Sequence, residues 1–95
     1  MTNVPRAIEA NCISGDATIK SSAGVVYGVL LSASSADATL VLYDNTAASG
    51  ERELVITAKD GYSEEFCPAG VGLKFNTGIY ADITGSGAYA TILYE

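Results

Sequence analysis

This sequence predicts an all-β fold, a single antiparallel β-sandwich of eight or nine short strands. Three observations carry that prediction. Apolar residues recur at every second position along most of the chain, which is the periodicity of a strand. Clusters of Gly, Asn, Asp and Ser interrupt the alternation roughly every 8–12 residues, as turns do in sandwiches and barrels. No window of about a dozen residues places apolar side chains at i, i+3, i+4 and i+7 behind a capping residue.

The strands can be justified in order. Residues 1–6 show no periodicity and end in Pro5–Arg6, so they are expected to form an N-terminal arm, with one sandwich domain over 7–95. Ala7–Cys12 alternates Ile8, Ala10 and Cys12 with Glu9 and Asn11, and Ala17–Ser21 sets Ile19 between Thr18 and Lys20. Val25–Ala33 is apolar on both sides: Val25, Tyr27, Val29 and Leu31 alternate with Val26, Gly28 and Leu30. Such a strand is either central or meets a partner chain on one face. Ala38–Tyr43 points Leu40 and Leu42 inward, with Thr39 and Val41 opposite, and Glu53–Thr57 does the same with Leu54 and Ile56. Glu64–Cys67 is short. Val71–Phe75 puts Val71, Leu73 and Phe75 on one face, and Ile79–Ile83 follows. In Tyr89–Tyr94, Ala90, Ile92 and Tyr94 oppose Tyr89, Thr91 and Leu93. The groups SGD at 14–16, SSAG at 21–24, KDG at 59–61, NTG at 76–78 and GSG at 85–87 are expected to be hairpin turns. Val26, Val41, Val55 and Leu93 then face outward, forming either a subunit interface or part of one thick core.

Composition narrows the function. The chain has 95 residues, 48% of them apolar and 17% charged, which suits one folded domain without a deep cavity. The net charge is −6, and the five basic residues are scattered, so neither nucleic acid nor an anionic membrane is expected as a partner. Five of the eleven acids fall between Glu51 and Glu65, which reads as a solvated face or a surface for a basic partner. The first residues lack a charged stretch followed by an apolar core, so the chain is expected to be made in a cytoplasm. Cys12 and Cys67 are accordingly expected to be reduced, unpaired and buried.

The chemistry of common active sites is missing from the sequence. There is no histidine, which removes Ser-His-Asp and Cys-His catalysis and histidine-ligated zinc. Two cysteines cannot complete a zinc site. GVGLKF at 70–75 lacks the GK[ST] ending of a phosphate loop. Glu64 and Glu65 point to opposite faces, whereas Glu51 and Glu53 share one, about 7 Å apart, a spacing a glycosidase uses. No tryptophan is present to stack on a sugar. The oxygen-rich loop DNTAASGE at 44–51 has one acid before Glu51, too few for calcium, and reads as turn chemistry. The chain is therefore expected to be no enzyme and to need no cofactor or metal.

The segment GVVYGVLLSASSADATLVLYDNTAASGERELVITA at 24–58 and the ending GLKFNTGIYADITGSGAYATILYE at 72–95 resemble small virion proteins of tailed bacteriophages. Those carry a G-V-x-x-G-V strand, an A-T-L-x-L-Y-D-N-T strand and turn, and an x-F-x-T-G-L-Y-x-x-I-T-G close. The likeness is weak before Ala17 and loose over 62–69. It implies a jelly-roll-like sandwich that serves as a capsid decoration, or cement, protein. It further implies a homotrimer on the capsid exterior, with the major capsid protein and other copies of itself as partners. Interface contacts are expected from Val4, Pro5 and Arg6 in the arm, from Tyr27 and Val29, and from Asp44 and Asn45. The alternatives are a tail or head-fibre subunit, or a non-catalytic carbohydrate-binding sandwich, which six tyrosines keep open.

Overall fold

The structure, a computed structural model, describes residues 8–67 and 71–95. It is an all-β sandwich of nine strands, with no helix among the described residues. They are β1 (Glu9–Ile13), β2 (Ala17–Lys20), β3 (Gly24–Ser32), β4 (Ala38–Asp44), β5 (Arg52–Ala58), β6 (Ser63–Phe66), β7 (Leu73–Phe75), β8 (Ile79–Thr84) and β9 (Tyr89–Tyr94). Each expected alternating segment is a strand, displaced by at most two residues at either end. The arm with Val4, Pro5 and Arg6 lies outside the described residues.

One sheet has the order β1-β9-β3-β6, with β7 also paired to β3; the other has the order β2-β8-β4-β5. All pairings are antiparallel. Five of the ladders are nested along the chain: β4 with β5, β3 with β6 and with β7, β2 with β8, and β1 with β9. A long hairpin rolled up on itself produces this nesting, and it is the connectivity of a jelly roll. Strands β6 and β7 are two pieces of one rolled-up strand, both laid along β3.

Rolling changes what the turns do. Only β4 and β5 are consecutive and hydrogen-bonded to each other. The groups at 14–16, 21–24, 59–61, 76–78 and 85–87 carry the chain from one sheet to the other, so they are sheet-to-sheet corners and not hairpin turns. Their glycines and small polar residues signal a reversal in either case.

The inward face of β3 also differs from strict alternation. Opposite β9, Val26 pairs with Tyr94 and Gly28 with Leu93, so two steps on β3 span one step on β9. This β-bulge shifts the phase of the strand. Val26 is fully buried, Val29 and Leu31 follow it into the core, and Val25 and Tyr27 are half-buried on the other side. Val26 is therefore a core residue. The core joins it to Leu31, Leu40, Leu42, Phe75, Ile79 and Ile92, all of which have no exposed surface. By area, each such side chain contributes roughly 1.5–3 kcal/mol.

Candidate functional site

The acids that stood out in the sequence mainly hold the corners together. Asp44, at the end of β4, accepts hydrogen bonds from the N–H groups of Asn76 (3.0 Å), Thr77 (2.7 Å) and Gly78 (3.4 Å). Successive N–H groups converging in a turn form an anion nest, and here the chain's own carboxylate fills it. These bonds, that of Asn76 foremost, hold the Asp44 carboxyl below the usual carboxylate range. Asn45 folds back locally: its Nδ2 donates to the Ser49 carbonyl at 3.0 Å, and its Oδ1 accepts from the Thr46 N–H at 2.8 Å. Gly50 closes this loop at φ +88°, a conformation that glycine adopts without strain. The loop at 44–51 is thus a structural connection whose first acid reaches across to the β7–β8 corner.

Three further acids act in the same way. Asp16 Oδ1 accepts from the Ile83 N–H at 2.9 Å. Asp37 Oδ1 accepts from the Asp60 N–H at 2.9 Å, and Asp60 Oδ1 in turn accepts from the Ser35 N–H at 2.9 Å. The acids of 51–65 read from sequence as a solvated face or a surface for a basic partner; the turn residue Asp60 has the further task of accepting from the Ser35 N–H. Asp82 is different. Its carboxyl is pushed up, first by burial and then by the neighbouring Asp16, with Arg52 offsetting part of the effect. Glu51 and Glu53 are not paired on one strand, because Glu51 lies in the loop before β5.

The outer faces of the two sheets are unlike. On the β2-β8-β4-β5 sheet, register aligns Thr84, Thr39 and Thr57 in one row, Asp82, Val41 and Val55 in the next, and Thr18, Tyr80, Tyr43 and Arg52 beyond. On the β1-β9-β3-β6 sheet the rows are Cys12, Thr91, Leu30 and Glu65, then Ala10, Leu93 and Gly28. Leu30 is 44% exposed, Leu93 39% and Tyr89 57%, so this face is open and poor in charge. A Cβ on Gly28 would lie 3.5 Å from Leu93 Cδ1 and 3.9 Å from Cys67 Sγ, so these three residues adjoin one another.

Both cysteines are free and exposed, not buried as expected. Cys12 faces outward because the buried member of the β1 alternation is its neighbour, Ile13. About three strand spacings of roughly 4.8 Å separate Cys12 from the β6 end of its sheet. Pairing with Cys67 within one chain would need their Cα atoms within about 7 Å.

Of the expected interface residues, Tyr27 and Val29 fall on opposite sides of β3. Tyr27 is half-buried and donates from its hydroxyl to Glu95 Oε1 at 3.1 Å, while Val29, 3% exposed, packs into the core. Asp44 and Asn45 sit at one end of the sandwich, beside the β7–β8 corner. A depression of about 490 Å³ lies elsewhere, lined by Asp37, Thr39, Thr57, Ala58, Lys59 and Glu64. No protein-family model, curated protein or solved structure matches the chain.

Proposed function

We propose that this chain is a virion structural protein that decorates and stabilises the outer surface of a bacteriophage capsid as a homotrimer. The observation that carries the reading is the agreement between resemblance and topology. The segments 24–58 and 72–95 resemble phage cement proteins, the resemblance implied a jelly-roll sandwich, and the strand order is that of a jelly roll. The physical requirements of such a protein support it further. A cement subunit needs a rigid frame, a charge that keeps free copies apart and an uncharged surface for contacts. Corners held by carboxylates, a net charge of −6 and an open leucine-bearing face meet those needs. The partners are the major capsid protein and other copies of the chain, and the location is the capsid exterior.

The test is an image reconstruction of purified particles, combined with mass spectrometry of their protein content. The chain is expected in a copy number comparable with that of the shell protein, with its density outside the shell at three-fold positions. Density inside the shell, or along the tail, would overturn the reading.

A further inference from the structure

We infer that Asp16 and Asp82 form a proton-operated clasp, which fastens the β1–β2 corner to β8 in acid and loosens it at neutral pH. The clasp belongs to the fold and does not depend on the capsid reading.

The first argument is placement. Ala17 pairs with Ala81 and Thr18 with Tyr80, so the position just before β2 sets Asp16 against Asp82. Directly opposed residues of an antiparallel pair carry their Cβ atoms about 5 Å apart on one face, and like charges there are destabilising. Ala81 and Ile83 are buried, so Asp82 between them faces outward, in the row with Val41 and Val55. Asp16 is anchored at this spot by a second tie: its Oδ1 accepts from the Ile83 N–H at 2.9 Å. That bond joins the 14–16 corner, where the chain crosses from one sheet to the other, to β8. The corner is therefore held by a carboxylate that stands opposite another carboxylate.

The second argument is what surrounds the pair. On the β4 side the neighbour of Asp82 is Val41, which carries no charge. Lys20, the cation of β2, stands opposite Ile79 at the other end of that ladder. On β5, Arg52 lies in the row of Tyr43 and Tyr80, with Glu53 beside it at the β4–β5 bulge. Arg52 acts on Asp82 from there and offsets part of the effect of Asp16. A cation two strands away thus softens the opposition without replacing it.

A proton relieves the opposition directly. When Asp82 takes one up, its O–H donates to the Asp16 carboxylate, which keeps its bond to the Ile83 N–H. Two repelling charges become one charge and one hydrogen bond. Burial and Asp16 both push the Asp82 carboxyl up, in keeping with this exchange. A carboxyl raised in the fold costs stability while it is ionised, so the clasp gains hold as pH falls through the raised value.

The experiment follows hydrogen exchange at the Ile83 N–H in the full chain by NMR, from pH 7 to pH 4, expressed as protection relative to the unstructured rate. Protection is expected to rise about two- to five-fold over that range, the scale of one exposed charge contact. In Asp82→Asn, whose amide donates as the protonated acid does, protection at pH 7 should already match the acid value of the natural chain and stay level. In Asp16→Ala, which lacks the acceptor, Ile83 should lose protection at every pH. Level protection in the natural chain overturns the inference, as does a rise that persists undiminished in D82N, or protection retained in D16A. Should D16A fail to fold, the natural chain and D82N decide the matter between them.

Discussion

Two aspartates with opposite roles show how much one carboxylate's surroundings decide. Asp44 is held below the usual carboxylate range by backbone donors, so its ionised form stabilises the fold. That contribution is complete above the unfolded value of about 4 and is lost as pH falls through the lower folded value. Asp44→Asn should therefore melt at a lower temperature than the natural chain at pH 7, and the gap should close on acidification. Asp82 has the opposite sign. Burial and Asp16 raise its folded pKa, so its charge costs stability at neutral pH, and the cost disappears as pH falls through that raised value. Asp82→Asn mimics the protonated form. It should melt above the natural chain at pH 7, and this advantage should vanish below about pH 4. Thermal melts of the three proteins from pH 7 to pH 3 check both signs. Neither role could be read from the sequence, where Asp44 and Asp82 are each one polar residue beside an apolar run. The donors to Asp44 lie more than thirty positions away, at 76–78.

At the scale of elements, the strands were legible and their partners were not. Alternation is a local property, so Leu40 and Leu42, or Ala90 and Ile92, declare their inward face without reference to any neighbour. Partner choice depends on whether a corner stays in its sheet. The groups SGD and NTG look the same in a hairpin as in a crossover. The β3 bulge was hidden for a related reason: a strand apolar on both sides carries no mark of where its phase changes. The corners make their own demands. A Cβ on Gly78 would lie 2.9 Å from the Asn45 carbonyl and 3.0 Å from the Lys20 carbonyl, so three connections crowd around this one residue. Gly78→Ala should force them apart and cost about 1–3 kcal/mol, the usual penalty of overpacking. Urea denaturation checks it, and a midpoint unchanged from the natural chain would refute the crowding.

Across the whole molecule, nesting makes nearly every ladder non-local. Only the β4–β5 pair joins neighbours in sequence, and the outermost pair joins Glu9 to Tyr94 and Ile13 to Ala90. The interface residues expected from the sequence reflect this difficulty. Strict alternation puts Tyr27 and Val29 on one face of a regular strand, and the bulge sends them to different sides. The face that carries Leu30 and Leu93 is built from strands that lie far apart in the chain, so no single window of sequence displays it.

The outermost ladder has a mechanical consequence. Because β1 and β9 run in opposite directions, Glu9 and Tyr94 lie at the same end of their shared row of hydrogen bonds. Tension applied through those two residues loads that row like a zip fastener, one rung at a time. A chain gripped there should open by peeling β1 away first and only then lose its core. In an optical trap with handles at Glu9 and Tyr94, the extension trace should show a small early step at low force ahead of the main rupture. A single all-or-none event would mean that β1 is held by more than its pairing with β9.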